Sequence, residues 1–297
     1  MSAHTHLAGV IPVANLKSDF ELDTPPFLLP IAPAFTAIQK SIFECAMAGC
    51  QTIWIAANDD VAPILRKHIG EWVFDPVHYK RDLTKFYSEV RKEIPIYYAP
   101  IHPKDRDKRD SYGWSVLYGM YSAWLVSYKI SKWLVPDKFF ISFPMGVYDI
   151  YSLRQHRKAI LSQKSNFFLM HEGKTVKNNE HLSFTMFGED FKKCRRSVNK
   201  KTTRGYLRPG PDEVIPSKKL PIEERWSARF FNFEDVFEEI DETNASKVEV
   251  EWYYDISNWE GYKGFLASEH TIEKPYKGLT GPHRHAKICM EVEENES

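Results

Sequence analysis

Short apolar runs alternate with amphipathic stretches along the first half of the chain. Gly9 to Ala14 is a run of β-forming residues, and Thr52 to Ala57 is a second, continuous apolar run. Between them, apolar side chains recur at helical spacing from Ala34 to Gly49, whose final glycine suits a helix C-cap. Val61 to Ile69 predicts another helix, opened by the capping residues Asn58-Asp59-Asp60. This β-α-β-α order predicts a parallel sheet with helices packed on its faces.

Three further segments extend the pattern. Glu93 to Ala99 predicts a third strand, and Tyr112 to Trp133 predicts a long amphipathic helix. Lys138 to Phe143 is too apolar for a sheet edge, so we expect it at the centre of the sheet. Pro144-Met145-Gly146 ends that strand.

The segment EVEWYYDISNWEGYKGFL, from Glu249 to Leu266, is the clearest pattern in the second half. It predicts a strand that ends at Asp255, a turn, and a helix that begins near Asn258 or Trp259. The whole pattern favours one large domain of the α/β class, with three layers and a mostly parallel central sheet. We expect that domain over residues 1–268 and a C-terminal tail over residues 269–297.

Composition narrows the classes of function. Lysine plus arginine and aspartate plus glutamate both number 40, so the summed charge gives no reason to expect nucleic acid or an anionic membrane as a partner. The chain contains no apolar run near the roughly 20 residues that a spanning helix needs. The four cysteines lack metal-ligand spacing, which favours a reducing, cytoplasmic setting.

The order of elements resembles a known family. A loop that ends in proline before LLPI, a helix that ends in AG and the strand TIWIAAND are similar to the opening of sugar-phosphate nucleotidyltransferases. Ser111-Tyr112-Gly113 resembles the glycine-led start of a family helix, and Tyr253 to Tyr262 resembles the late D-x-GT-x-x-x-Y segment. The resemblance implies the glycosyltransferase-A-type α/β fold. It also implies that a nucleoside triphosphate gives its nucleotidyl group to a sugar 1-phosphate, with release of pyrophosphate.

The resemblance also implies a magnesium site held by two aspartates, because this hard ion prefers oxygen ligands. Asp255 stands at the second of these positions. At the first, Pro144-Met145-Gly146 replaces the family's Gly-Asp pair, and Asp149 follows a few residues later. The residues implied near the nucleotide phosphates are Asn15, Lys17, Ser18 and Gly113.

The loop ANLKSDFELDTPPF, from Ala14 to Phe27, departs from the chemistry of that family. Its counterpart there is glycine-rich and supplies cations to the triphosphate, since glycines let backbone N–H groups approach phosphate closely. Here the loop has no glycine or arginine, its one cation is Lys17, and Asp19, Glu21 and Asp23 add negative charge. We therefore expect turnover to be very slow or undetectable.

Two alternatives remain open at this point. In one, the fold is a non-catalytic relative that serves as a binding or assembly module, Asp255 caps a turn or helix, and Lys17 is a solvated loop residue. In the other, the chain is a glycosyltransferase that uses a nucleotide sugar, with Asp105-Arg106-Asp107 as its metal motif. The basic segment from Lys192 to Arg208 could bind phosphate or nucleic acid, or it could form a solvated face.

Overall fold

The computed structural model describes residues 5–76, 93–101, 112–201 and 231–275, together with Pro211. The strands are Leu7–Pro12 (β1), Pro30–Ala32 (β2), Phe35–Thr36 (β3), Thr52–Asn58 (β4), Trp72–Phe74 (β5), Glu93–Ile101 (β6), Lys138–Ile141 (β7), Gly146–Val147 (β8), Phe167–Met170 (β9), Phe184–Phe187 (β10), Ser246–Glu249 (β11) and Tyr254–Asp255 (β12). The α-helices are Ala37–Ala48 (α1), Ala62–Ile69 (α2), Tyr112–Ile130 (α3), Leu153–Ile160 (α4), Gly188–Lys201 (α5), Phe233–Phe237 (α6) and Trp259–Ala267 (α7).

Eight strands form the central sheet, in the order β11-β9-β10-β7-β1-β4-β6-β5. β1 lies parallel to both β4 and β7, and β4 lies parallel to β6. β10 runs antiparallel to both of its neighbours, and β5 runs antiparallel to β6. The predicted mostly parallel sheet is confirmed, with β7 near its centre.

Helices cover both faces of the sheet because alternate side chains of each strand point in opposite directions. Leu7 and Ile11 of β1 join the apolar core under α1, whereas Ala8 and Val10 join the core under α3. Two buried cores on opposite faces confirm the three-layer architecture. In the described ranges, no helix is both long enough and apolar enough to cross a bilayer.

The helix boundaries follow the sequence within about three residues. α1 begins at Ala37, not Ala34, because Phe35–Thr36 forms β3, and α3 ends at Ile130, not Trp133. α1 ends at Gly49, which adopts φ 98° as its C-cap, and α7 begins after Asn258, whose side chain accepts a hydrogen bond from the Gly261 N–H. The expected cap of α2 by Asn58-Asp59-Asp60 is wrong. Asn58 ends β4, the N-cap residue is Val61, and no side chain caps this helix.

A lysine buried in α1 holds the segment that leaves the centre of the sheet. Lys40 is fully buried, and its Nζ donates to the carbonyl oxygens of Phe143 (3.0 Å) and Gly146 (2.6 Å). The same Nζ lies 2.9 Å from Oε2 of Glu44, one helical turn further on. One ammonium group therefore satisfies two carbonyl groups beyond the end of β7.

Glu44 continues this buried network. Its carboxylate accepts the hydroxyl of Ser142 at 2.7 Å, and it also accepts the hydroxyls of Tyr148 and Ser183. A buried carboxylate is costly unless it is both paired and hydrogen-bonded, and here both conditions are met. The network joins α1 to the segment between β7 and β8 and to the start of β10.

We expect Lys40→Met to lower the free energy of unfolding by about 3–5 kcal/mol, because it leaves the Glu44 carboxylate buried without its cation. Urea denaturation at neutral pH measures this loss. The matched control is Lys158→Met on the exposed side of α4, for which we expect a change within about 0.5 kcal/mol. Equal stability of the two variants would contradict the assigned role of Lys40.

Candidate functional site

A cleft of about 480 Å³ opens where β1 and β7 end. The loop after β1 lines it with residues 15–17, and Tyr112 lines it from the first position of α3. His181, which precedes β10, and Ser257, which follows β12, line the cleft from the other side, and Phe233 of α6 lies beside them. These elements meet because the carboxyl ends of parallel strands share one edge of the sheet.

Asp255 and His181 form the polar centre of this region. His181 Nδ1 lies 3.1 Å from Asp255 Oδ1, and the Ser257 N–H donates to the same oxygen at 2.9 Å. Burial raises the pKa of Asp255, but His181 and the Ser257 N–H outweigh burial and hold the pKa below its ordinary value of 3.8. Asp255 is therefore a carboxylate at neutral pH, and its charge is already partly satisfied by the protein.

Aromatic rings enclose His181. The ring centroids of Tyr112, Phe143 and Phe233 lie 5.9, 5.9 and 5.3 Å from the imidazole. The Tyr112 hydroxyl donates to the Pro12 carbonyl oxygen at 3.0 Å. Burial raises the pKa of Tyr112 well above its usual value, and the charge of Asp255 raises it further. Tyr112 thus stays protonated and serves as a hydrogen-bond donor.

Met145 lies directly beside Asp255. The Ile256 N–H donates to the Met145 carbonyl oxygen at 2.9 Å, and Gly146 of β8 pairs with Asp255 of β12. The side chain of Met145 is fully buried. The backbone therefore brings together the two segments that the resemblance assigns to the metal aspartates, and the first of them, Pro144-Met145-Gly146, contains no carboxylate.

Asp149 has a different environment. It is exposed, and its Oδ1 accepts the N–H of Tyr151 at 2.9 Å at the start of the 3-10 helix Ile150–Ser152. Ser152 donates to the Asp149 carbonyl oxygen at 2.7 Å. Its carboxylate thus caps a turn. Across the described ranges, no group of three or more His, Cys, Asp or Glu side chains is arranged to hold a metal ion.

Of the other predicted residues, Asn15 and Lys17 line the cleft, whereas Ser18 and Gly113 make contacts within the elements around it. Asn15 adopts the left-handed φ of 62°, which asparagine tolerates better than most residues, and Lys17 is exposed at the rim of the cleft. Ser18 donates to the Phe20 carbonyl oxygen within the loop. Gly113 packs against α6, where an added Cβ would lie 3.0 Å from Cγ2 of Val236. Gly113 thus permits close helix packing.

The acidic loop is anchored to the turn that follows Asp255. The Asp19 N–H donates to the Ser257 carbonyl oxygen at 2.9 Å, and the Asp19 carboxylate accepts the Trp259 N–H at 2.8 Å, at the N-terminus of α7. The Phe20 ring stacks on Tyr262, with centroids 6.1 Å apart. Because a helix N-terminus favours negative charge, Asp19 is stabilised there. The loop therefore fixes one wall of the cleft.

Comparison with known proteins bears on the fold. No family model and no curated protein matches the sequence. A putative glucose-1-phosphate thymidylyltransferase from Bacillus anthracis, solved in complex with a sucrose, is similar over 91% of this chain and 98% of its own, with 11% identity and a TM-score of 0.51. The chain has a nucleotidyltransferase-like fold. The chain also aligns with a Mycobacterium tuberculosis protein (12% identity, TM-score 0.48, 89% and 99% of the two chains). A UDP-glucose pyrophosphorylase complexed with UDP-glucose aligns as well (13% identity, TM-score 0.49, 88% and 97% of the two chains).

Sequence reasoning did not identify His181. The residue lies in a polar connection, 74 positions before Asp255, and only the pairing of β10 with β7 brings it to the cleft. Its backbone N–H also bonds to a distant segment, since it donates to the Tyr253 hydroxyl oxygen at 2.9 Å. Because these contacts join segments far apart in the chain, the residues around His181 carry no local sequence pattern that marks it as part of the cleft.

Gly146→Ala tests how tightly β8 packs against the backbone of His181. An added Cβ would lie 1.9 Å from the His181 carbonyl oxygen, so backbone must move. We expect a loss of about 3 kcal/mol in the free energy of unfolding by urea titration. Gly188→Ala is the control, since no described atom lies within 4 Å of its added Cβ. Similar losses in both variants would contradict the close approach.

The pairing of Asp255 with His181 predicts a specific pH dependence of stability. Since the folded pKa lies below the ordinary 3.8, the pair stabilises the fold above that pH and stops doing so as pH falls through the folded value. We expect Asp255→Asn to be less stable than the unmodified protein at neutral pH, with the difference shrinking in acid. Urea titrations across this range measure it, with Asp149→Asn as control. A difference that grows in acid would contradict the prediction.

Proposed function

We propose that this chain binds a nucleotide sugar or a sugar phosphate in the cleft beside Asp255 and transfers nucleotidyl groups very slowly or not at all. The observation that carries the proposal is the buried Met145 next to Asp255. The two-aspartate metal site that the resemblance implies would need a second carboxylate in the segment that contains Met145.

The cleft supports binding. Its volume of about 480 Å³ lies within the range of small-molecule sites. Tyr112 begins the 19-residue helix α3 at the cleft wall, and a helix N-terminus attracts phosphate through its N–H groups and its dipole. Lys17 adds a cation at the rim, and the rings of Tyr112 and Phe233 provide apolar surface for a base or sugar.

The structural neighbour is consistent with a sugar-phosphate ligand. The Bacillus anthracis protein is described as a putative glucose-1-phosphate thymidylyltransferase. Ligands of open α/β sheets commonly bind at the carboxyl ends of the parallel strands, and the cleft of this chain lies at that side of the sheet. We therefore expect the phosphate of a sugar phosphate near Lys17 and α3.

The loop argues against efficient transfer. In nucleotidyl transfer, negative charge builds on the leaving pyrophosphate, and removal of one stabilising donor commonly costs about 10²–10³ in rate. Lys17 is the one cation between Ala14 and Phe27. The Asp19 carboxylate is used at the start of α7, so the loop geometry depends on an acidic residue where the resembled family uses glycines.

The donor set beside Asp255 does not fit the implied magnesium site. Mg²⁺ demands near-octahedral oxygen ligands at about 2.0–2.1 Å. Asp255 Oδ1 is instead occupied by His181 and the Ser257 N–H, Met145 offers no oxygen side chain, and Asp149 caps a turn. The proposed binding therefore depends on Lys17 and the α3 N-terminus. The alternative metal motif Asp105-Arg106-Asp107 lies outside the described residues.

Isothermal titration calorimetry with UDP-glucose and with glucose 1-phosphate, in EDTA and in excess Mg²⁺, tests the proposal. We expect binding in both buffers. Lys17→Ala should weaken it by about two- to fivefold, the effect of one exposed ion pair. Lys164→Ala, at an exposed lysine distant from the cleft lining, should leave the affinity unchanged.

A coupled assay for pyrophosphate supplies the contrary outcome. Each of the four nucleoside triphosphates is incubated with glucose 1-phosphate and Mg²⁺, and pyrophosphate is followed over time. Rapid release that Asp255→Asn abolishes would contradict the proposal and favour full nucleotidyltransferase activity. Absence of binding for every ligand in the calorimeter would contradict the binding half of the proposal.

A further inference from the structure

One ring nitrogen of His181 is left for a ligand of the cleft. His181 lines the cleft, and 13% of its side chain is exposed. Its Nδ1 is buried and lies 3.1 Å from Asp255 Oδ1. Its Nε2, unlike Nδ1, is not shut off from solvent, and it makes no hydrogen bond to a described residue. The exposed part of the ring therefore carries an unused nitrogen beside the ligand site.

Asp255 determines which nitrogen carries the proton of the uncharged ring. A lone pair on Nδ1 would be repelled by the carboxylate, so the proton lies on Nδ1. The contact is bent, and it acts through electrostatic attraction more than through an aligned hydrogen bond. Because the two nitrogens of an imidazole point in diverging directions, the lone pair of Nε2 is directed away from Asp255 and can accept a hydrogen bond.

The surroundings of the imidazole increase the value of such a bond. The rings of Tyr112, Phe143 and Phe233 pack around His181 and keep much of it from water. A polar atom in apolar surroundings gains more from a partner than one in open solvent, and protein sites normally supply that partner. Here the partner has to come from the ligand, since no described side chain donates to Nε2.

The other polar groups nearby limit what the ligand can place there. The Tyr112 hydroxyl is used on the Pro12 carbonyl oxygen, and Asn179 Oδ1 accepts the Glu234 N–H at 3.3 Å. A phosphate placed against His181 would also lie near the Asp255 carboxylate, and like charges repel. The neighbourhood of His181 therefore suits an uncharged hydroxyl group better than a phosphate.

We propose that Nε2 of His181 forms a hydrogen bond with a hydroxyl group of the ligand, on the sugar ring or on the ribose of a nucleotide sugar. The contact makes His181 a specificity residue for hydroxylated ligands. A hydroxyl can donate as well as accept, so the contact does not depend on the charge of the ring. This inference rests on the proposed function, because it concerns the orientation of the same ligand in the same cleft.

His181→Asn tests the contact. The side-chain amide of asparagine reaches the position of Nδ1, so the variant keeps a donor facing Asp255 and removes Nε2. In calorimetry with UDP-glucose in EDTA, we expect the variant to bind about five- to tenfold more weakly, the effect of one hydrogen bond. His171→Asn is the matched control, because His171 is also half-buried but does not line the cleft. Its affinity should stay within about twofold of the unmodified protein.

Deoxy analogues of UDP-glucose identify the hydroxyl. They lack one hydroxyl each, on the ribose or on the glucose. In the unmodified protein, one analogue should bind about five- to tenfold more weakly than UDP-glucose. In His181→Asn, the same analogue and UDP-glucose should bind about equally, since the partner of that hydroxyl is gone. A purely structural role of His181 would not produce this coupling. Loss with a ribose analogue assigns the contact to the nucleotide, and loss with a glucose analogue assigns it to the sugar.

The contrary outcomes separate this inference from the proposed function. Equal losses for each analogue in His181→Asn and in the unmodified protein would overturn the contact and leave the proposed function in place. Full affinity of every analogue for the unmodified protein would also overturn it, and this measurement needs no variant to fold. Thermal unfolding verifies that His181→Asn is folded. Absence of UDP-glucose binding to the unmodified protein would instead contradict the proposed function, and the inference with it.

Discussion

The buried pair of Lys40 and Glu44 is the interaction on which the arrangement of the site depends. Removing two charges from water is expensive, and the cost is offset only when every donor and acceptor finds a partner. Here the partners are two carbonyl groups and three hydroxyls, and they belong to the segments from Ser142 to Tyr148 and around Ser183. Satisfying the pair therefore fixes the chain that carries Met145 beside Asp255.

Close backbone packing supplies the second constraint. Gly146 approaches the His181 carbonyl oxygen, and Gly261 approaches the Asp255 carbonyl oxygen, each so closely that a Cβ would lie 1.9 Å from that oxygen. These glycines let β8, β12 and α7 converge without side chains between them. The result is a densely packed region in which the carboxylate of Asp255 lies against His181. Among the described residues that line the cleft, Lys17 is the one lysine or arginine.

The sequence predicted the sheet and its helices because each depends on local periodicity. β1, β4, β6 and β7 are continuous apolar runs, and α1 and α7 carry their caps within a few residues. Through the resemblance it also assigned Asp255 to a metal site, and that role stays a prediction. It did not predict the antiparallel β10, the pairing that brings His181 to the cleft, or the use of Asp19 at the start of α7. Those features arise from contacts between segments far apart in the chain, which no local pattern encodes.

The reversal of β10 has a mechanical consequence. In a wholly parallel sheet all strands begin at one side and end at the other. One side then carries the amino ends of the strands and the other carries their carboxyl ends. β10 instead begins at Phe184, three residues after His181 of the cleft, and ends at Phe187, which with Gly188 lines a second cavity at the other side of the sheet. His181 and Gly188 are seven residues apart, about 23 Å in extended chain. Because β10 pairs with β7 and β9 between these two positions, a change in its register would alter both cavities together.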